Sequence, residues 1–190
     1  ADGPLNAEQE LQLQFIRKAT EQLSELVEDL LDLAKIEAGK VEVRPVEFSV
    51  ADLFSALRGM LRPLLATETV ELVFEDASEV PAMITDESKV SQIVRNFISN
   101  ALKFTEHGSV TVKLDVEGDG TPYAVHVIDT GIGIPRERLD AIFEAFQQAD
   151  GSTSRRFGGT GLGLTISRRF ARALGGDIVV TSEYGKGSVF

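Results

Sequence analysis

Four glycines fall within six residues near the C-terminal end of the sequence, in the segment FGGTGLGL at residues 157–164. An apolar, helix-like segment follows directly. Glycine carries no Cβ, so the backbone of such a loop can approach another molecule closely. A helix that begins where the glycines end would direct its free N–H groups and the positive end of its dipole at that molecule. The pattern predicts a phosphate-binding loop, and the alternative is a flexible surface loop before a core helix.

Two common phosphate motifs are excluded by the same residues. A Walker loop has Lys and then Ser or Thr after its last glycine, whereas Gly163 is followed by Leu164. A dinucleotide fingerprint follows a strand, whereas residues 147–156 are mostly polar and small. We therefore expect the loop to act as a mobile lid rather than a tight strand-to-helix turn.

A second group of candidate residues lies on the helix that Asp86 is predicted to cap and that ends at Phe104. Steps of three and four residues return to one side of a helix, so five polar side chains share a face without a carboxylate. Asn is a poor helix former, and its carbonyl oxygen can bind Mg²⁺, while Lys can neutralise phosphate. The alternative is an ordinary polar surface. The five residues are Lys89, Gln92, Asn96, Asn100 and Lys103.

A third candidate is Asp129, which ends a predicted strand and begins the segment DTGIGIP at residues 129–135. A carboxylate at a strand end can accept a hydrogen bond from an exocyclic amine, and the neighbouring glycines would let a flat ring lie close to the backbone. The alternative is a turn that carries Asp and Gly for local reasons.

Composition limits the partners. The chain has 190 residues and a net charge of −11, which argues against binding to nucleic acid or an anionic membrane. Cysteine is absent, so disulfides and cysteine zinc sites are excluded. No run of about 18 apolar residues and no signal peptide are visible, so we expect a cytoplasmic chain without membrane contact of its own.

The first predicted element is a helix at residues 8–38, with Asn6 as N-cap and Gly39 just past its end. Apolar residues recur at alternating steps of three and four, as in a helix bundle. Nothing before this helix offers it a partner, so we expect it to pack in an intermolecular bundle or against a missing segment. The repeating residues are Ile16, Ala19, Leu23, Leu26, Leu30 and Leu33.

The remaining predicted elements are a mixture of helices and strands. Helices are predicted at 50–65, from the Asp86 cap to 104, and at 165–174, and a small helix is predicted within 136–146. Strands are predicted at 41–48, 70–74, 83–85, 109–116, 123–128, 177–181 and from 187 onwards.

These blocks, in this order, resemble the ATP-binding catalytic domain of bacterial-type sensor histidine kinases, within the ATPase superfamily that includes Hsp90, gyrase and MutL. The resemblance covers about residues 41–190, and LLDLAKIEAG at 30–39 is similar to the end of the second helix of the family's dimerisation hairpin. Four signatures carry it: NFISNALKFT at 96–105, DTGIGIP at 129–135, IFEAF at 142–146 and GGTGLGL at 158–164.

The resemblance implies an α/β (α+β) two-layer sandwich with a mixed sheet, the Bergerat-type ATP-binding fold, preceded by one long dimerisation helix. Residues 1–40 would be a partial dimerisation helix that lacks the acceptor-histidine helix. Residues 41–190 would be the ATP-binding catalytic domain, with its last strand truncated at Phe190.

The ligands implied are ATP and Mg²⁺. By resemblance, Asn100 would hold the metal, Asn96 would support it, Lys103 would contact phosphate and Phe104 would pack near the base. Asp129 would bind the adenine amine. The other residues implied are Gly131, Gly133 and Ile134 beside the base, Gly159, Thr160, Gly161, Leu162, Gly163 and Leu164 around the phosphates, and Arg155 or Arg156 at the γ-phosphate.

The resemblance also implies autophosphorylation of a histidine in the parent protein, followed by relay to the aspartate of a response-regulator receiver domain, in a homodimer formed through the N-terminal helix bundle. The acceptor histidine has a His-Glu or His-Asp context, which neither His107 nor His126 shows. We therefore predict structural roles for both histidines.

Two alternatives remain. A serine/threonine kinase or hydrolysing ATPase of the same superfamily would carry a Glu base where this chain has Asn96. A non-catalytic nucleotide-binding or dimerisation module would keep the binding residues without transferring phosphate.

Overall fold

The computed structural model describes residues 5–65, 69–147 and 160–190. Its contacts divide the chain into two compact units, Ala1–Lys40 and Val41–Phe190.

The first unit contains one helix, α1 (Ala7–Glu37). Its N-terminus has a capping box, in which Asn6 Oδ1 accepts the Gln9 N–H at 2.9 Å and Gln9 Oε1 accepts the Asn6 N–H at 3.0 Å. At the other end Gly39 has a φ of +64°, the left-handed conformation usual just past a helix. Both predicted ends of this helix are confirmed.

The apolar stripe of α1 is exposed within the described chain. Leu23, in its middle, keeps 60% of its surface exposed, and Ile16 keeps 62%. A continuous apolar stripe on a helix is a surface that packs against another helix. The other large apolar residues exposed on α1 are Leu11, Leu13, Phe15, Val27, Leu30 and Leu31.

The second unit is built on a five-stranded mixed sheet with the order β2-β4-β5-β7-β6. Strand β2 runs parallel to β4, and the other neighbours are antiparallel. A separate two-stranded sheet pairs β1 with β3. The strands are β1 (Val46–Phe48), β2 (Val70–Phe74), β3 (Met83–Thr85), β4 (Gly108–Val116), β5 (Pro122–Asp129), β6 (Thr181–Glu183) and β7 (Gly187–Val189).

Three α-helices belong to this unit within the described residues: α2 (Val50–Leu61), α3 (Glu87–Phe104) and α4 (Gly163–Ala173). Helices α2 and α3 pack on the sheet through side chains that are almost completely buried, each contributing about 1.5–3 kcal/mol. The mixed sheet covered by helices confirms the predicted fold class. The core side chains with the least exposure include Leu57, Ile98, Val110, Val112 and Val127.

The first strand is shorter than predicted, because only Val46–Phe48 of residues 41–48 pairs with another strand. Pro45 has no N–H to donate to a ladder, and the Arg44 N–H donates instead to Asp86 Oδ2 at 2.9 Å. The next helix also ends earlier, since Pro63 converts Arg62–Leu64 to a 3-10 turn. Met60 of this helix is 55% exposed.

Two further predictions are wrong in detail. The helix predicted at 136–146 is two 3-10 turns, Arg136–Arg138 and Ala141–Phe143. The strand predicted at 177–181 begins only at Thr181, because Asp177 accepts its neighbour's N–H and pairs with two arginines of α4. Helix α4 itself begins at Gly163, two residues before the predicted start.

Candidate functional site

The two asparagines of α3 form a hydrogen-bonded ladder that ends on α4. The Asn100 side-chain amide donates to Asn96 Oδ1 at 3.4 Å, and Asn96 Nδ2 donates to Ser167 Oγ at 2.9 Å. Both asparagines are half-buried, and Ser167 is buried. The ladder therefore joins the predicted metal-binding face of α3 to the helix that follows the glycine loop.

The last glycine of the loop lies directly against this ladder. A Cβ placed on Gly163 would come within 2.5 Å of Asn96 Oδ1. A larger residue at this position would displace either the Asn96 side chain or the start of α4. Its neighbours Leu162 and Leu164 are fully and partly buried, so their side chains anchor the start of α4 in the protein.

Helix α4 begins without a side-chain cap among the described residues. Thr160 Oγ1 accepts the Leu162 N–H at 3.2 Å, and the Gly161 carbonyl accepts the Phe146 N–H at 3.1 Å. The first N–H groups of a helix lack partners within the helix, and with its dipole they favour an anion. This end of α4 has the chemistry of a phosphate-binding end.

The C-terminal end of α3 carries Lys103 and Phe104, both half-buried. The Lys103 ammonium lies 5.0 Å from the centre of the Phe104 ring. The Phe104 carbonyl accepts the Ile132 N–H at 3.1 Å, so this end of α3 touches the loop that follows Asp129.

Lys89 does not belong to the candidate site. Its ammonium lies 2.6 Å from Asp86 Oδ2, and the Lys89 side chain is only 15% exposed. Burial would raise the pKa of Asp86, but hydrogen bonds from Lys89, Ser88 and the Arg44 N–H outweigh it and hold that pKa below its usual range. Lys89 is therefore not part of the polar face of α3 that was predicted to bind the ligand. Asp86 is confirmed as the N-cap of this helix.

Asp129 lies at the end of β5 with 8% of its surface exposed. Its Oδ1 accepts the Gly131 N–H at 2.9 Å, and the N–H and hydroxyl of Ser188, which can donate to the same carboxyl, lower its pKa. Burial raises the pKa of Asp129, although these hydrogen bonds oppose the rise. The side chain is a desolvated acceptor held by Gly131 and Ser188.

The two glycines after Asp129 are required by the protein's own packing. A Cβ on Gly131 would lie 2.4 Å from the Phe104 carbonyl oxygen. A Cβ on Gly133, where φ is +65°, would lie 2.1 Å from the Glu183 carbonyl oxygen. Packing within the protein, the alternative that the sequence left open, therefore explains why glycine occurs at both positions. Contact of these glycines with a base stays a prediction.

Two serines near Asp129 were missed by the sequence reasoning. Ser188 is the cross-strand neighbour of Asp129 on β7, and Ser182 on β6 accepts the Ile134 N–H at 2.7 Å. Their signal in the sequence was the presence of small hydroxyl side chains on both strands of the final hairpin, but Asp129, the partner of Ser188, lies more than fifty residues earlier.

Three of the predicted site residues lie outside the described part of the chain, namely Arg155, Arg156 and Gly159. The histidines are described. His126 Nε2 lies 2.7 Å from Asp115 Oδ2 across the β4–β5 hairpin, and His107 lies in the bend before β4.

A groove of about 520 Å³ lies beside the same loop, between residues 134–139 and 180–184. It contains Ile134 but none of Asn96, Asn100, Lys103 or Asp129, so we do not assign it to the predicted ligand. The site is instead defined by the asparagine ladder, the start of α4 and the buried carboxyl group.

Comparison with known proteins identifies the family of this chain. The family model described as histidine kinase-, DNA gyrase B-, and HSP90-like ATPase matches residues 85–190, and the chain belongs to that family. The model of the His Kinase A phospho-acceptor domain matches residues 1–39. The predicted resemblance to the ATP-binding domain of sensor histidine kinases is confirmed.

Among curated proteins, the chain is similar to autoinducer 2 sensor kinase/phosphatase LuxQ of Vibrio parahaemolyticus, with 39% identity over 96% of this chain and 22% of the relative. It is 36% identical to hybrid signal transduction histidine kinase B of Dictyostelium discoideum, over 98% of this chain and 10% of the relative. The crystal structure of full-length ShkA in complex with AMPPNP superposes with a TM-score of 0.82 and 32% identity, over 99% of this chain and 39% of that one.

The chain thus spans about a quarter or less of the curated relatives it matches. Within the described residues, every helix is too short or too polar to cross a membrane.

Proposed function

We propose that this chain binds Mg-ATP and serves as the catalytic domain of a histidine kinase. The base would lie against Asp129, and the triphosphate would lie between α3 and the start of α4. In the parent protein the γ-phosphoryl group would pass to a histidine on a dimerisation hairpin and then to the aspartate of a response-regulator receiver domain.

One observation carries the proposal: α3 connects both parts of the site. Its C-terminal residue Phe104 touches the loop after Asp129, whereas Asn96, eight residues earlier, bonds to α4. Eight residues of helix rise about 12 Å, which separates a base pocket from a phosphate pocket along one element. An elongated ligand with an amine-bearing ring at one end and an anion at the other matches this arrangement.

The carboxyl group of Asp129 suits one ring amine. An ionised carboxylate has about four lone-pair positions; the Gly131 N–H and the Ser188 N–H occupy two of them, and a third shares the Ser188 hydroxyl hydrogen with Ser182 Oγ. One position remains for a further donor. The exocyclic amine of adenine is such a donor, whereas guanine presents a carbonyl oxygen at the corresponding ring position, which a carboxylate repels.

The residues present fit a magnesium ion that shares its ligands with phosphate. Asn100 uses its amide nitrogen on Asn96, which directs its carbonyl oxygen to other partners. In the described ranges no group of three or more His, Asp or Glu side chains could hold a metal. A hard cation here would therefore take Asn100, phosphate oxygens and water, and it would supply charge neutralisation at the transferring phosphoryl group.

The side chains favour transfer to histidine over hydrolysis. Asn96 has no titratable proton, and both ends of its amide are engaged by Ser167 and Asn100. It cannot remove a proton from water or from a serine hydroxyl, whereas a neutral imidazole attacks phosphorus without a base. The phospho-acceptor match at residues 1–39 supports the same conclusion and supports dimerisation through α1.

The proposal is tested by incubating the chain with γ-labelled ATP and Mg²⁺, alone and with a separate dimerisation hairpin that bears the acceptor histidine. We expect acid-labile label on the hairpin and none on this chain. Label on His107 or His126, or release of phosphate as fast as hairpin labelling, would contradict it. Omission of Mg²⁺ is the control for the metal.

A further inference from the structure

The Ser182 hydroxyl group lies at the meeting point of three hydrogen bonds. It donates to the Gly187 carbonyl at 2.8 Å and accepts the Ile134 N–H at 2.7 Å. Its oxygen also lies 3.0 Å from Ser188 Oγ. Because the Ser182 hydrogen is used on Gly187, Ser182 can only accept from Ser188.

Ser188 has one hydroxyl hydrogen and two acceptors within reach. One acceptor is the carboxyl group of Asp129, and the other is Ser182 Oγ. The two serines therefore link Asp129 to the Ile134 N–H, with the single Ser188 hydroxyl hydrogen shared between Asp129 and Ser182. Ser182 is half-buried and Ser188 is buried, so bulk water does not replace these bonds readily.

The Ser182 hydroxyl is also the side-chain contact between the loop at residues 131–135 and the β6–β7 hairpin. The other contacts between them are made by backbone atoms. The Ile132 carbonyl accepts the Gly185 N–H at 2.8 Å, and Gly133 lies against the Glu183 carbonyl. The loop at residues 131–135 is thus held on the β6–β7 hairpin by Ser182 and two backbone contacts. Because Gly131 donates to Asp129, a shift of this loop also turns the carboxyl group.

We propose that Ser182 is a positioning residue for the nucleotide base. Its hydroxyl fixes the loop at 131–135 and, through Ser188, keeps one acceptor position of Asp129 directed at the amine of the base. The inference rests on the proposed function, because it assigns a selectivity role within the same nucleotide site.

The test compares ATP with purine riboside triphosphate, which lacks the 6-amino group, by titration calorimetry with Mg²⁺. The wild-type chain should bind ATP about 10- to 100-fold more tightly, as expected for one hydrogen bond to a charged group. Ser182→Ala should lower that ratio about three- to tenfold. Ser182→Cys, which keeps the volume but accepts hydrogen bonds weakly, should do the same.

Ser182→Thr keeps the hydroxyl, and its methyl group can enter the 520 Å³ groove that Ser182 lines. It should retain the wild-type ratio. Thr181→Ala is the matched control, since Thr181 is exposed on the same strand. Hydrogen exchange gives a second reading without nucleotide: the Ile134 N–H should exchange faster in the alanine variant, while the Val127 N–H, bonded to Phe190, should not change.

Equal loss of affinity for both nucleotides in Ser182→Ala would mean a general structural role and would overturn the inference. An unchanged ratio in the alanine and cysteine variants would also overturn it, with the proposed function intact. Failure of the wild-type chain to bind ATP would contradict the proposed function itself and would be seen before any variant is compared.

Discussion

The side-chain amide nitrogen of Asn100 donates to Asn96, and its carbonyl oxygen is the metal ligand that we propose. Replacing Asn100 with alanine removes a metal ligand without changing charge. We expect Asn100→Ala to weaken Mg-ATP binding about tenfold or more, because a lost ligand or charge-assisted hydrogen bond costs about 1.5–3 kcal/mol. Titration calorimetry with and without Mg²⁺ checks this, with Arg95→Ala, exposed on the same helix, as control. Equal losses with and without the metal would argue against a ligand role.

The raised pKa of Asp129 predicts that ATP affinity and the stability of the protein change in opposite directions with pH. Because its pKa is raised by burial, the carboxyl group becomes neutral at a pH above the usual value of about 4. ATP affinity should therefore fall as the pH drops through that raised pKa. The free energy of unfolding should instead decrease as the pH rises through the same range, because the folded state binds the proton more tightly than the unfolded state.

Asp129→Asn should remove both dependences and the preference for ATP over GTP. Titrations with the two nucleotides between pH 4.5 and 8 measure this, and urea unfolding over the same range measures stability. The nucleotide's own protonation affects both proteins alike, so the difference between them isolates Asp129. A variant that still prefers ATP, with an unchanged pH profile, would exclude Asp129 from base recognition.

Asp86 stabilises α3 and should do so in a pH-dependent way. Its folded pKa lies below the usual range, so its contribution is complete above about pH 4 and is lost as the pH falls towards the folded value. Asp86→Ala removes the N-cap and leaves the half-buried Lys89 without its carboxylate, at a cost of about 2–4 kcal/mol at pH 7.

Urea unfolding at pH 7 and pH 3 measures this, with Asp52→Ala, exposed in the first turn of α2, as the matched control. The gap between the wild type and Asp86→Ala should shrink at pH 3. A gap that stays constant would show that the carboxylate charge is not the source of the stabilisation.

The contact between α3 and α4 depends on the absence of one side chain. Gly163 begins α4 against Asn96, so Gly163→Ala should separate the two helices. We expect a loss of about 1–3 kcal/mol of stability from overpacking and a lower affinity for ATP. Gly59→Ala is the control, because nothing lies within 4 Å of its added Cβ in α2. That control should stabilise the protein by about 0.5–1 kcal/mol.

Thermal unfolding of these two glycine variants measures the stability that depends on the contact between α3 and α4. Nucleotide titration of the same variants measures the effect on the proposed site. A Gly163→Ala protein as stable as the wild type, with unchanged ATP affinity, would show that α4 can move without affecting the asparagine ladder.

The chain has a long exposed apolar stripe on α1, and its composition is strongly acidic. A net charge of −11 disfavours self-association, so any dimer must be held by apolar contacts. Leu23→Glu should weaken the proposed dimer at least about tenfold, as expected for exposing one leucine per helix. Sedimentation equilibrium measures this, with Gln22→Glu as a control of equal added charge. A wild-type chain that stays monomeric at high concentration would contradict dimerisation through this stripe.

Local pattern was enough to predict the elements that carry the site. Helix α3, its Asp86 cap and the placement of Asn96 and Asn100 follow from spacing and capping, because the helical repeat and a cap involve residues at most four positions apart. The position of Asp129 at the end of a strand followed from alternation and the glycines after it. The strand bounds at 41–48 and 177–181 were wrong because side-chain carboxylates accept backbone N–H groups there: Asp86, distant in sequence, accepts from Arg44, and Asp177 accepts from its neighbour Ile178.

The partners of these side chains came from folding. The contacts of Asn96 with Ser167, of Gly133 with Glu183 and of Asp129 with Ser188 join residues 50 or more positions apart. No local pattern records such pairs, because burial and sheet register bring them together only after the chain has folded. The residue types therefore came from the amino-acid order, and the packing of α3, α4 and the final hairpin fixed which of them share a site.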